Sequence, residues 1–150
     1  MKTYTLHRAQ VVPRRVEEVF EFFSHAGNLQ ALTPPWLDFR MVNAPGELQA
    51  GSLIRYQLRI HMLPIRWTSE ITAWQPPHRF VDVQLSGPYT LWHHEHKFSP
   101  DPRGTIVEDT VQYALPLGIL GQIGHWGLVR RDLKNVFDYR AAKMRELFGE

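Results

Sequence analysis

The chain has 150 residues, of which 43% are hydrophobic and 21% are charged. Its length is typical of one domain, and its composition excludes a disordered or low-complexity protein. It contains no cysteine, which excludes disulfide bonds, thiolate catalysis and zinc sites built on sulfur. The 17 basic and 15 acidic residues leave a formal charge of +2, too small to indicate nucleic-acid binding by itself.

The sequence also bears on location. The first six residues contain no apolar run followed by a small-residue cleavage site, so we expect no signal peptide. The longest stretch without Asp, Glu, Lys or Arg, residues 110–129, contains one proline, two glutamines and four glycines and is not predominantly apolar. We therefore expect no membrane-spanning segment and a cytoplasmic protein.

The N-terminal part predicts a strand followed by two short helices. Residues 3–11 mix β-branched and polar residues at period two, which favours a strand. After Pro13, four apolar residues have the i, i+3, i+4, i+7 spacing of one helix face: Val16, Val19, Phe20 and Phe23. A second helical segment is predicted over residues 28–32, where Pro34-Pro35 ends it.

The middle of the chain predicts an antiparallel meander. Alternating apolar and polar residues predict strands over 52–60, 67–73, 80–85, 91–98 and 105–115. No helical pattern separates them, so neighbouring strands are expected to pair antiparallel. The last two strands are predicted to form a hairpin.

The C-terminal residues predict a long amphipathic helix. Apolar residues recur every three or four positions: Val129, Leu133, Val136, Phe137, Ala141, Met144, Leu147 and Phe148. The other face, which includes Arg140, mixes basic and acidic residues, and we interpret it as solvated. The order of elements predicts an α+β fold with helices on one face of a curved sheet. We expect the interior of such a fold to be incompletely filled by side chains, which makes it a natural small-molecule site.

Several motifs, in this order of elements, resemble the SRPBCC superfamily of START-type lipid carriers, polyketide cyclases and coenzyme-Q-binding proteins. The motifs are Val16-Glu17-Glu18-Val19-Phe20 after Pro13, Leu32-Thr33-Pro34-Pro35, Gly87-Pro88-Tyr89, Trp92-His93-His94-Glu95-His96-Lys97-Phe98, Asp109-Thr110-Val111-Gln112-Tyr113 and Phe137-Asp138-Tyr139-Arg140. The resemblance implies a helix-grip fold over residues 1–150, with a curved antiparallel sheet wrapped around the long C-terminal helix and two short helices after the first strand. Within this superfamily the sequence resembles a bacterial branch of unassigned function. The domain of that branch stands alone or is fused to a nucleotide-sugar-epimerase-like protein.

The strand from Trp92 to Phe98 carries the candidate site. Period two places its tryptophan, its second and third histidines and its phenylalanine on one face, which we expect to point inward. A hairpin symmetric about Pro102 would place His94 near Asp109. The predicted ligand-binding residues are Trp92, His94, His96, Phe98, Asp109, Val111 and Tyr113, with Tyr56 and Trp67 from neighbouring strands.

Three interpretations of the polar cluster of His94, His96, Asp109 and Tyr113 stay open. It can be a structural network in which Asp109 accepts a hydrogen bond, because an unpaired buried carboxylate is costly. It can instead be the polar part of an apolar ligand pocket. His-x-His with a carboxylate also has the ligand types of a metal site. We predict no metal and no cofactor, because bulky aromatic neighbours crowd these residues and no fourth ligand is evident.

A run of four glycines, Gly118, Gly121, Gly124 and Gly127, precedes the long helix. Its spacing is not that of a dinucleotide-binding fingerprint. Glycine disfavours regular helix, so one interpretation is a loose connection. The other is a mobile gate to a hydrophobic interior, formed by the apolar residues between the glycines: Ile119, Leu120, Ile123 and Trp126.

These observations favour a non-catalytic carrier or sensor of a hydrophobic or aromatic small molecule, such as a lipid, polyketide or quinone-like compound. One alternative is a polyketide cyclase or dehydratase type of enzyme, with His94 or His96 as general base, tuned by Asp109, and Tyr113 as donor. Another is an interaction module for an epimerase-like partner. Nucleic acid is not expected as a partner, because the basic pairs are short and lack interleaved aromatic residues.

Overall fold

The computed structural model describes residues 1–149 and contains one seven-stranded antiparallel sheet. The strands are β1 (Tyr4–Val12), β2 (Arg40–Met41), β3 (Leu53–Ile60), β4 (Leu63–Gln75), β5 (Arg79–Ser86), β6 (Leu91–Asp101) and β7 (Gly104–Ala114). The helices are α1 (Val16–Phe23), α2 (Ile119–Gly124) and α3 (Arg130–Phe148), with short 3-10 helices over Ala26–Leu32 and Pro35–Leu37. The strand order is β1-β7-β6-β5-β4-β3-β2, so the first strand lies beside the last.

The apolar face predicted for the first helix is the buried face of α1. All four of its periodic apolar residues are buried, and Glu17 and Glu18 lie in the first turn, where the helix dipole favours negative charge. The second predicted helix is the 3-10 helix that begins at Ala26. The two-residue strand β2 was not predicted, because it is too short to show alternation.

The β6–β7 hairpin has a different register from the predicted one. His94 lies opposite Val111 and His96 lies opposite Asp109, so the hairpin is centred between Pro102 and Arg103 rather than on Pro102. The reason is the turn: Asp101 pairs with Gly104, so the loop has two residues and the hairpin is not symmetric about its proline. Gly104 has a φ of 135° and its missing Cβ would lie 2.1 Å from the Val12 carbonyl oxygen, so this position requires glycine.

Three of the four glycines, Gly121, Gly124 and Gly127, lie in helix rather than in a loose connection, and Gly118 precedes the helix. Helix α2 begins at Ile119, a π-helical turn follows over His125–Val129, and α3 continues from there, so the chain is helical to Phe148. The expectation that the glycines disfavour helix here is therefore wrong. A Cβ on Gly121 would lie 2.2 Å from the Pro116 carbonyl oxygen, so at this position glycine lets the helix approach the preceding loop.

Two apolar clusters fill the space between the sheet and the helices. The first joins α1 and the C-terminal half of α3 to the sheet, and its largest buried members include Phe20, Phe98 and Met144. The second, which is mainly aromatic, lies between the sheet and the N-terminal half of α3, where Leu133 and Phe137 cover it. Burying one such side chain stabilises the fold by roughly 1.5–3 kcal/mol, so both clusters are major sources of stability.

Candidate functional site

Five ionisable side chains meet in the interior between the two apolar clusters. Asp82 comes from β5, His94 and His96 from β6, Asp109 from β7 and Arg140 from α3. We call these five residues the charged network. The two histidines and Asp109 are buried, and the side chains of Asp82 and Arg140 are 18% and 11% exposed.

Short hydrogen bonds connect the charged network. His94 Nε2 lies 2.8 Å from Asp109 Oδ1, and His96 Nε2 lies 2.6 Å from Asp82 Oδ2. Arg140 donates to Asp109 Oδ1 at 3.1 Å and to His96 Nδ1 at 3.4 Å. The predicted contact between His94 and Asp109 is therefore present, although it runs diagonally across the hairpin rather than between directly opposed residues.

These bonds determine the protonation of His96. Because a guanidinium has only donors, His96 Nδ1 must accept from Arg140, which leaves Nε2–H to donate to Asp82. Burial, reinforced by the like charge of His94, lowers the pKa of His96 to about 4, although Asp82 and Asp109 oppose this shift. His96 is therefore neutral at pH 7.

The two carboxylates of the network are ionised. Burial alone would raise the pKa of Asp109, but Arg140 and His94 outweigh it and hold that pKa below its ordinary value. Burial would likewise raise the pKa of Asp82, but the hydrogen bond from His96 and the neighbouring imidazole and guanidinium charges lower it. The two carboxylates and the guanidinium of Arg140 together carry one net negative charge.

Arg140 corrects an expectation from the sequence. We interpreted the charged face of the C-terminal helix as solvated, yet Arg140 lies almost entirely inside. Its guanidinium also lies 5.3 Å from the ring centre of Phe23 and 5.8 Å from that of Phe137. A signal was available, because Arg140 follows Phe137 by three residues and precedes Met144 by four, which places it on the apolar stripe.

Asp82 was also missed by the sequence analysis. It lies two residues after Phe80 on the same face of β5, and the ring of Phe80 is buried and stacks on His96 with centroids 3.9 Å apart. An acidic residue two positions from an inward-facing phenylalanine was a detectable sign of a buried carboxylate. With Asp82 in place, each histidine of the network has its own carboxylate partner.

Five aromatic side chains beside the network form what we call the aromatic cluster: Tyr56, Trp67, Tyr89, Trp92 and Tyr113. The ring of Trp67 packs against Tyr56 at 5.8 Å and against Trp92 at 5.2 Å between centroids. The Trp67 indole N–H donates to the Ser69 hydroxyl, so the ring is both buried and satisfied. The cluster brings together four of the predicted ligand-binding residues, and Val111 packs within it. Tyr89 was not among the predicted residues.

Phe98 does not join this cluster. It packs in the first apolar cluster, where its ring contacts Phe20 and Phe23 at 5.2 Å between centroids. Although Phe98 and Trp92 share one face of β6, five residues of the strand lie between them. The charged network thus lies between these two predicted ligand-binding residues.

The two histidines of the network face different clusters. His94 lies 6.3 Å from Trp92 and 5.8 Å from Phe137 between ring centroids, on the side of the aromatic cluster. His96 stacks on Phe80, on the side of the first apolar cluster. The two imidazoles stack on each other at 3.7 Å. His94 is therefore the member of the network that a molecule among the aromatic rings would meet.

Tyr113 has a different partner from the predicted one. We placed its hydroxyl with His94, His96 and Asp109, but it bonds His125 Nε2 at 2.7 Å. The ring of His125 also stacks on Tyr4 at 3.6 Å, and burial and the nearby cations Arg130 and Lys2 lower the pKa of His125. The π-helical turn directs this side chain inward, which the glycine-rich sequence did not reveal.

The interior is more completely filled than we expected. The aromatic rings occupy the space between the sheet and α3, and two clefts lie at the surface of the described residues. One, of about 290 Å³, lies between the N-terminal residues and the 115–118 loop; the other, of about 370 Å³, lies beside Tyr139. A ligand among the rings would therefore require them, or the helix above them, to move.

The residues of the predicted gate are exposed. Ile119, Leu120, Ile123 and Trp126 are between 64% and 79% exposed. They belong to the segment of residues 117–129, which we call the cap segment. His125 anchors this segment to the end of the aromatic cluster through its contacts with Tyr113 and Tyr4. The cap segment thus covers that end of the cluster with helix while its apolar side chains face outward.

Asp82, His94 and His96 could provide metal ligands. One donor atom from each lies within 4.8 Å of the others. The guanidinium of Arg140, which lies 3.4 Å from His96 Nδ1, places a positive charge next to this set and so disfavours a cation there. A second group, Glu21, His25 and Glu47, is exposed.

No helix within residues 1–149 is both long enough and apolar enough to cross a bilayer.

Comparison with known proteins identifies the family. The family described as "Polyketide cyclase / dehydrase and lipid transport" matches residues 3–149. No curated protein matches the sequence. That family description suggests hydrophobic ligand binding.

Several solved structures share the fold at low sequence identity. A protein from Chromobacterium violaceum is 9% identical with a TM-score of 0.75, over 97% of this chain and 98% of its own. A major latex-like protein from Panax ginseng is 10% identical with a TM-score of 0.71, over 97% of each chain. The nucleoside-diphosphate sugar epimerase from Corynebacterium glutamicum is 22% identical with a TM-score of 0.71, over 94% of this chain and 28% of its own. These similarities confirm the helix-grip fold predicted from the sequence.

Proposed function

The chain belongs to the polyketide cyclase, dehydrase and lipid transport family, within the SRPBCC superfamily that its motifs resemble, and we propose that it binds a hydrophobic or aromatic small molecule as a carrier or sensor. The observation that carries this proposal is the contact between the aromatic cluster and His94 of the charged network. Apolar surroundings with a few convergent polar groups are typical of small-molecule sites.

The aromatic cluster supplies the apolar part of the proposed site. Trp67, Trp92 and Tyr89 pack edge to face or tilted, with ring centroids 4.8 to 5.6 Å apart. Rings in such arrangements present both faces and edges. An aromatic or lipid-like ligand can therefore replace some of the contacts that the rings make with one another. In this proposal Tyr56, Tyr113 and Val111 complete the lining.

His94 supplies the polar part of the proposed site. Its Nε2 is bonded to Asp109, whereas its Nδ1 lies 3.9 Å from Asp82 Oδ2, beyond hydrogen-bond distance. With the proton on Nε2, Nδ1 can accept a hydrogen bond from a ligand hydroxyl. His96 has no such freedom, because both of its nitrogens are engaged. In this proposal, Asp109 holds His94 in place through its bond to Nε2.

The cap segment supplies the entrance in this proposal. It contains four glycines and a π-helical turn, both of which weaken a helix against opening. Its side-chain anchor to the cluster is His125, whose Nδ1 is buried without a hydrogen-bond partner. Release of this anchor exposes Tyr113 and Tyr4 and so opens the end of the aromatic cluster. A ligand would then enter past the apolar residues of the cap segment, which are Ile119, Leu120, Ile123 and Trp126.

The proposal is tested by comparing 1-naphthol with naphthalene, two probes that differ in one hydroxyl. We expect wild-type protein to bind 1-naphthol about five- to ten-fold more tightly, which is the value of one net hydrogen bond of roughly 1 kcal/mol. His94→Phe should abolish this preference, whereas the matched variant His96→Phe should keep it. Because the readout is a ratio of two affinities, a general loss of stability cancels. Equal wild-type affinities, no saturable binding, or a preference lost in His96→Phe alone would contradict the proposal.

One observation favours a second function. The Asp109···His94 pair has the geometry of a carboxylate that orients a general base, with His94 Nδ1 left to take a proton. The chain would then act as a cyclase or dehydratase type of enzyme. In His94→Ala the reaction rate should lose the part of its pH dependence that comes from a general base. In Tyr113→Phe the rate should stay close to that of wild type, because the Tyr113 hydroxyl bonds His125.

An epimerase-like partner is a separate proposal. It is supported by the occurrence of this fold within 28% of the Corynebacterium glutamicum epimerase chain, a likeness in fold alone. Affinity capture with the purified chain should then return one such enzyme at stoichiometric amount. Capture of unrelated proteins at low yield would oppose it.

A further inference from the structure

The exposed large apolar side chains concentrate at one end of the molecule. In an antiparallel sheet the start of each strand lies beside the end of its neighbour. One end of the sheet is therefore formed by the first residues of β1, β4 and β6 and the last residues of β3, β5 and β7. The cap segment lies at the same end. We call this end of the sheet, together with the cap segment, the apolar end.

Eight large apolar side chains at the apolar end are more than half exposed. Five belong to the cap segment: Leu117, Ile119, Leu120, Ile123 and Trp126. Three belong to strand ends and the β3–β4 turn: Met62, Leu63 and Leu85. The β3–β4 turn is held beside α3 by His61, whose Nε2 lies 2.8 Å from Asp132. Among residues 1–149, apart from Met1, the other large apolar side chains exposed by more than half are Trp36 and Val42.

The charges around these side chains are predominantly positive. Residues 1–7, 57–66, 83–92 and 111–131, which form the apolar end, contain Lys2, Arg59, Arg66, Arg130 and Arg131 and no Asp or Glu. Two acidic residues lie at its border: Asp132, which pairs with His61, and Asp38, which lies 3.7 Å from Arg59. Arg130 lies over the ring of Trp126, 5.7 Å from its centroid, so an aromatic ring and a cation project together.

From this arrangement we propose that the apolar end docks on an anionic lipid bilayer. The apolar side chains protrude from separate turns and from one helix rather than lining a groove, which suits insertion into a bilayer interface. Tryptophan prefers that interface, and basic residues beside an apolar helix face are attracted to anionic lipid. A second copy is a poorer occupant, because a symmetric contact would bring the basic residues of both copies together.

The cap segment is also the entrance in the proposed function, but docking is measured without a ligand, so this proposal goes beyond the proposed function and can be tested separately. Co-sedimentation with vesicles of phosphatidylcholine alone, and of phosphatidylcholine with 30% phosphatidylglycerol, measures it. We expect binding to the anionic vesicles that weakens as salt is added. Arg130→Gln with Arg131→Gln should weaken this binding about 25-fold, since one basic residue near an anionic surface contributes about five-fold.

A matched pair of tryptophans tests the orientation. Trp126→Ser should weaken vesicle binding about ten-fold or more through lost apolar contact, whereas Trp36→Ser should leave it unchanged. Both side chains are exposed, so neither variant is expected to unfold the protein. Vesicles that contain brominated lipid should quench tryptophan fluorescence in the wild type, and this quenching should be lost in Trp126→Phe. No binding of wild type to anionic vesicles, or equal effects of the two serine variants, would overturn the proposal. A concentration-dependent dimer that Trp126→Ser dissociates, without vesicle binding, would replace it with self-association.

Discussion

The guanidinium of Arg140 on α3 lies 3.1 Å from Oδ1 of Asp109 on β7, and the two side chains are 11% and 10% exposed. This contact joins the C-terminal helix to the middle of the sheet between two apolar clusters. A buried ion pair contributes little net stability compared with apolar residues, but removing one partner leaves an uncompensated charge. The pair therefore fixes where α3 lies and at what depth, and Asp109 depends on it to stay ionised.

Arg140→Met should destabilise the protein by about 3–5 kcal/mol, the usual cost of leaving one buried charge without its partner. Arg8→Met is the matched control, because Arg8 also links the sheet to α3, through Asp138 at 2.8 Å, but the side chains of that pair are accessible to solvent, at 32% and 45% exposed. An exposed pair contributes about 1 kcal/mol or less. Urea unfolding of both variants measures the difference. Similar losses in the two variants would show that the interior position of Arg140 has no special energetic role.

His96 makes stability depend on pH. Its folded-state pKa is about 4, below the ordinary value of 6.5, so between these values the unfolded chain binds a proton that the folded chain does not. The free energy of unfolding should therefore fall as pH falls from about 6.5 to about 4, by up to about 1.4 kcal/mol per pH unit. Below about pH 4 the lowered pKa values of Asp82 and Asp109 continue the loss.

His96→Gln should flatten this dependence between pH 6.5 and 4. Val107→Ala, a cavity-forming change at a buried position with no titratable group, is the control, and it should lower stability while keeping the slope. Unfolding by urea at a series of pH values gives both slopes. A slope unchanged in His96→Gln would mean that another group causes the acid sensitivity.

Two glycines of the cap segment should respond oppositely to alanine. A Cβ at position 121 would collide with the Pro116 carbonyl oxygen, whereas one at position 124 meets nothing within 4 Å. Gly121→Ala should therefore destabilise the start of α2 and increase amide hydrogen exchange there. Gly124→Ala should stabilise the helix by up to about 1 kcal/mol, because alanine is the better helix former. Equal exchange in the two variants would show that the helix does not pack on the 115–116 loop.

Much of the fold followed from local pattern. The periodicity of α1 and α3 and the alternation in the long strands correspond to buried faces that the structure contains. The hairpin register did not follow, because it depends on whether the turn has two residues or more, and Pro100–Gly104 allows either. Even so, His94 reaches Asp109, since diagonal neighbours on one face of a hairpin are within reach of long side chains.

The charged network was only partly predictable. His94, His96 and Asp109 were found because they lie on two adjacent strands that alternate clearly. Arg140 and Asp82 come from other elements, and a charged residue on an apolar stripe is ordinarily assigned to solvent when its buried partner is unknown. The course of the cap segment was hidden for a different reason: intrinsic propensity disfavours helix at four glycines, and tertiary contacts of His125 override it.

Binding of a ligand among the aromatic rings is tested most directly by the five tryptophan indole N–H signals in an NMR titration with 1-naphthol. Tryptophan-to-phenylalanine variants assign the signals. We expect saturable shifts for Trp67 and Trp92, which lie in the aromatic cluster, and none for Trp36, which is exposed beside Tyr139, or for Trp74, which packs against Phe20. Shifts confined to Trp36 or Trp74, or no saturable shift in Trp67 and Trp92, would contradict binding at this cluster.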